Sequence, residues 1–61
     1  MNEEILIGRR YKLNDPNNYY DGIILTVAYV ENAQIVRFKD APMPGFGTGL
    51  YAFQKYYELI D

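Results

Sequence analysis

The sequence predicts a mainly β domain, five short antiparallel strands and one helical turn curled into a small barrel. Three observations carry this. Residues 23–30 are almost all β-branched or aromatic, the composition that suits a pleated, half-buried surface. On either side of that run, "RRYKL" and "IVRFK" alternate apolar with basic residues at period two. Clusters of turn formers, "NDPNN", Asp21-Gly22, Asn32 and "PMPGFGTG", cut the chain at short intervals.

A chain of 61 residues is expected to form one domain, residues 1–61. So short a chain buries only about 60% of the surface its unfolded form exposes, and every large apolar side chain therefore matters. With no cysteine and no histidine, neither a disulfide nor a zinc-type metal site can staple the fold, and no metal or other cofactor is expected. What remains is ring packing. Seven tyrosines and three phenylalanines are present, each able to bury roughly 150–250 Å². A subunit interface, in a homo-oligomer or a larger assembly, is the other available support.

Taken in order, Glu3 and Glu4 lead into the apolar run Ile5–Ile7, too short for a signal peptide or a membrane span, so residues 1–7 read as an N-terminal extension. Residues 9–13 form the first strand, with Tyr11 and Leu13 on one side and Arg10 and Lys12 on the other. After the "NDPNN" and Asp21-Gly22 turns comes the second strand, Ile23–Val30. Glu31-Asn32 then offers a tight hairpin turn, because Asn32 tolerates a left-handed backbone. The returning strand, Ala33–Lys39, sets Val36 and Phe38 inside and Arg37 and Lys39 outside.

Residues 40–49 read as a connector in which Pro42 and Pro44 stiffen the chain and the glycines permit positive φ. Beyond it we expect a short strand at Leu50–Ala52, a single helical turn at Phe53–Lys55 and a closing strand at Tyr56–Ile60. Leu50, Phe53, Tyr57 and Ile60 also fit a helical spacing, so a C-terminal helix of about ten residues is the competing expectation. A flat sheet of this size leaves one face uncovered, and curling it into a barrel buries that face.

Over residues 8–60 this layout resembles the SH3-like barrels, among them the Tudor-type and small phage-encoded versions. "RRYKL" stands as a first strand, "DGIILTVAYV" and "IVRFKD" as the central hairpin and "YYELI" as the closing strand. The acidic-aromatic signature of peptide-binding SH3 domains is missing, there is no tryptophan, and Ala41-Pro42 stands where Tudor domains commonly place an aromatic and a glycine. The resemblance thus implies the fold and a recognition role, but neither proline-rich nor methylated ligands. In such barrels the first long loop lies near the third connection, which implies one aromatic patch for a protein partner built from Tyr19, Tyr20, Met43, Phe46 and Tyr51.

Catalysis is not expected. The usual general base and thiol nucleophile are absent, and the eight acids lie mostly beside turns and termini, where capping and solvation account for them. "GFGTG" lacks the lysine and hydroxyl residue of a P-loop, so it reads as a strand connector rather than a phosphate cradle. The net charge of −2 speaks against nucleic acid, whose binders draw most of their affinity from neutralised phosphates. The second expectation is nevertheless a small nucleic-acid-binding barrel, in which Arg9, Arg10 and Lys12 of the first strand join Arg37 and Lys39 of the third in one positive face. The leading expectation is a non-catalytic protein-interaction module. Its size and lack of cysteine resemble accessory proteins of phages and mobile elements and fit the cytoplasm, with no membrane partner.

Overall fold

A computed structural model describes residues 5–61 of the chain. Along the sequence run β1 (Arg10–Leu13), β2 (Ile24–Glu31), β3 (Ile35–Phe38), β4 (Gly47–Gly49), α1 (Leu50–Tyr56) and β5 (Tyr57–Leu59). All neighbouring strands are antiparallel, in the order β4-β3-β2-β1-β5. Mainly β architecture with five strands and one short helix is therefore present, but the sheet does not close. Its edge strands β4 and β5 are not paired with each other, α1 joins them, and a cleft of about 520 Å³ floored by Tyr11 and Phe53 opens beside α1 and β5. Among the described residues no helix is long and apolar enough to cross a membrane.

The central hairpin follows from its composition. Residues 24–26 of β2 pair with β1, and residues 27–31 pair with β3. Between these halves Ala28 is a bulge: Val27 faces Phe38, yet Tyr29, two residues on, faces Arg37. One extra residue reverses the alternation. Leu25 and Val27 point inward before it; after it Val30, opposite the buried Val36, turns toward the core, and Tyr29 turns out. At the base of the hairpin the Asp40 carboxylate accepts from the Thr26 N–H at 2.8 Å and from its hydroxyl at 3.2 Å. At the tip the turn is centred on Asn32 (φ 52°) and Ala33 (φ 57°), with Gln34 N–H donating to Glu31 C=O at 2.9 Å. It sits one residue later than the sequence predicts. Asn32 adopts the expected left-handed backbone, and Ala33 is held there against its own preference.

The last third departs from expectation. No strand forms at Leu50–Ala52. The short strand is earlier, at Gly47–Gly49, inside what reads as a connector. Glycine has poor strand propensity, yet a Cβ on Gly47 would lie 2.6 Å from Arg37 Nη1 and 2.8 Å from Ile35 Cγ2. Close pairing with β3 thus demands the residue that hides the strand. The helix occupies Leu50–Tyr56, longer than one turn and shorter than ten residues, and the closing strand is Tyr57–Leu59 rather than Tyr56–Ile60. Gly49 offers no side-chain cap; the Leu50 N–H instead donates to Gln34 C=O at 3.1 Å. Seven residues do not hold a helix in water by propensity, so the buried Phe53 anchors it.

The buried core is Tyr11, Leu13, Leu25, Val27, Val36, Phe38 and Phe53, each from an inward position of β1, β2, β3 or α1. Of the expected N-terminal extension 1–7, residues 1–4 lie outside the described residues. Ile5 packs against the core, and Leu6 N–H donates to the Tyr11 hydroxyl at 3.1 Å.

Candidate functional site

Two loops meet at one end of the sheet. The β1–β2 loop is closed by its own acids and amides: Asp15 N–H donates to Asp21 Oδ1 (2.9 Å), Asn17 N–H to Asp15 Oδ1 (3.2 Å) and Tyr20 N–H to Asn18 Oδ1 (2.8 Å). The last two are side-chain turns of the kind Asp and Asn favour, and the first closes the loop across six residues. They occupy the carboxylates as structural acceptors and fix the tyrosines that follow. Tyr19 stands 92% exposed. Tyr20 lies edge-on to it at 5.0 Å between ring centroids and edge-on to Phe46 of the β3–β4 loop at 5.6 Å.

From Phe46 the rings continue inward to Phe38 at 5.9 Å and on to Tyr57 at 5.6 Å. The tip of the β3–β4 loop is thus partly covered by the domain itself. Phe46 is half-buried between Tyr20 and the core, whereas Met43 remains 49% exposed. Tyr51, 77% exposed on α1, does not join the patch. Among the described residues no ring pair links it to Tyr20 or Phe46; Lys55 Nζ lies 5.8 Å from its centroid and 5.2 Å from that of Tyr56. The structure therefore brings Tyr19, Tyr20 and Phe46 together, sets Met43 on the same loop and separates Tyr51.

Between residues 41–46 and the outer face of the β2–β3 hairpin runs an open groove of about 540 Å³. Tyr29, Pro42, Met43 and Pro44 supply its apolar surface, Arg37 and Lys39 its cations. Arg37 shapes it. Its Nε donates to Glu31 Oε1 at 2.8 Å, and its Nη1 donates to the carbonyls of Gly45 (2.8 Å) and Phe46 (3.2 Å), so the guanidinium fastens the loop to the strand. Sequence reasoning misses Tyr29. Counting by twos from Leu25 and Val27 places it inside, and nothing in the residue types announces the bulge that turns it out.

The expected positive face does not assemble. β2 separates β1 from β3, so their basic residues lie on strands that do not adjoin. Arg10 pairs with Asp61 at 2.5 Å, and Arg9 Nε donates to the Asp61 carbonyl at 2.8 Å. Lys12 faces Glu58 across the β1–β5 pair, and Arg37, on the far side of β2 from these residues, bonds Glu31 through Nε and the loop carbonyls through Nη1. Among the described residues, no three Asp or Glu side chains converge to hold a metal ion. Tyr57, half-buried beside Phe53 and Phe38, has its hydroxyl pKa raised above the ordinary 10.0, first by burial and then by the charge of Asp15. No protein-family model, no curated protein and no solved structure matches this chain.

Proposed function

We propose that this chain is a non-catalytic interaction module that binds a partner protein through the groove between Tyr29 and the β3–β4 loop. In this reading it is a small SH3-like barrel whose gap between β4 and β5 is bridged by α1, and it serves in the cytoplasm as an accessory protein of a phage or mobile element. The strand order and the single long, bulged β2 shared by both halves of the sheet support the SH3-like topology. Catalysis has little to work with: Asp15, Asp21 and Asp40 are engaged as backbone caps, and there is no histidine or cysteine.

One observation carries the reading. Tyr29 (54% exposed) and Met43 (49% exposed) line one groove with Pro42 and Pro44, on the face of the hairpin opposite the buried Leu25, Val27, Val36 and Phe38. Apolar surface gathered in a groove with a charged rim is the composition of recognition sites, where tyrosine and methionine are enriched. The test is a photo-crosslinking residue placed at Met43 in cells that make the protein, with the same residue at Lys12 on the β1–β5 side as control. We expect one discrete protein adduct from Met43 and none from Lys12. Identical patterns at both positions, or none at Met43, would overturn the reading.

A further inference from the structure

We propose that the groove takes an extended acidic segment of a partner protein, with a carboxylate held by Arg37 and Lys39 and the flanking apolar side chains resting on Tyr29 and the Pro42–Pro44 wall. This rests on the interaction reading above. Arg37 is fixed before any ligand arrives, by Glu31 at Nε and by two loop carbonyls at Nη1. Preorganisation of this kind removes part of the entropic penalty of binding. Among the described residues its other terminal nitrogen, Nη2, makes no hydrogen bond, and the side chain keeps 26% of its surface exposed. A planar guanidinium with a spare edge suits a carboxylate.

Lys39 follows directly after the end of β3, where the chain turns into the loop that walls the groove. It is exposed, lines the same groove and makes no ion pair among the described residues. Of the charges that line the groove two are cations and one, Glu31, is an anion, while the neighbouring Asp40 carboxylate lies outside the lining and is taken up by the Thr26 N–H and hydroxyl. Charge complementarity therefore selects an acidic occupant for this groove. A peptide fits better than a nucleic acid, because two cations do not follow a phosphate track, the other arginines are held by Asp61 across β2, and the walls offer apolar contact.

The test is selection from a displayed library of random peptides against the full chain, repeated with Lys39→Ala and Lys39→Glu. Lys39 is exposed, so both variants are expected to fold, which circular dichroism verifies. We expect enriched peptides to share an Asp or Glu between apolar residues. Replacing that acid with Asn or Gln, or Lys39 with Ala, weakens binding about tenfold or more, and Lys39→Glu turns the selection toward Lys or Arg. Peptides lost on Met43→Asp but indifferent to Lys39 and to acidity overturn the inference and leave the interaction reading intact. It is equally overturned by an empty selection, by competition from a single-stranded DNA oligonucleotide that fades steeply with salt, or by self-association that blocks the groove. Crosslinking from Met43 is independent of all four results, so failure of the acidic preference and failure of the interaction reading are told apart.

Discussion

Truncating Phe53 removes the one buried residue of α1. Its ring is 3% exposed and lies 4.7 Å from Tyr11, 5.0 Å from Tyr57 and 6.3 Å from Phe38 between centroids, so Phe53→Ala opens a hole at the meeting point of four rings. Such truncations lose about 3–5 kcal/mol, part of it from ring pairs contributing about 0.5–1.5 kcal/mol each. At about 0.05–0.15 kcal/mol per residue, a chain of this length has about 3–9 kcal/mol in all. One substitution therefore removes much or all of the stability. The assay is urea unfolding followed by far-ultraviolet circular dichroism and tyrosine fluorescence, with Tyr51→Ala as comparison. Tyr51 occupies the same helix but is 77% exposed, and its truncation is expected to change stability by no more than about 0.5 kcal/mol. A cooperative Phe53→Ala transition within about 1 kcal/mol of the parent would show that α1 does not close the core.

Two further outcomes are expected. Ala33 sits at φ 57°, a region costing an L-residue roughly 1–2 kcal/mol, so Ala33→Gly should stabilise by about 0.5–1 kcal/mol after glycine's extra unfolded freedom is subtracted; a lower melting midpoint would refute the turn geometry. The raised pKa of Tyr57 means that the folded chain holds that proton more tightly than the unfolded chain does. Its contribution is whole below pH 10.0 and is lost as pH rises through the shifted value, so alkaline titration should destabilise the fold, and Tyr57→Phe should flatten that limb. An unchanged alkaline profile in Tyr57→Phe would assign the effect elsewhere.

Much of the fold can be read from residue types, and the reason is local. Tyr11, Leu13, Val36 and Phe38 alternate with charged neighbours, and a strand with one wet face has only one register that buries them all. The candidate patch was half legible. Tyr19, Tyr20 and Phe46 do meet, because the antiparallel order puts the β1–β2 and β3–β4 loops at the same end of the strands, but Tyr51 follows α1 away from them. Phe46 turned inward because Phe38 presents a ring to cover it, a contact between positions whose meeting depends on the loop path.

Alternation, turn residues and the scarcity of polar groups in Ile23–Val30 are properties of neighbours along the chain, and they suffice for a β hairpin, its inner face and a ring-filled core. The bulge at Ala28, the strand made of Gly47–Gly49 and the groove between Tyr29 and Met43 have no such local signature. They arise because strands that pair must match in length and twist, and because a glycine is what fits beneath Arg37 and Ile35 when β4 comes alongside β3. Those constraints exist only between segments distant in sequence, and they are met only once the chain has folded.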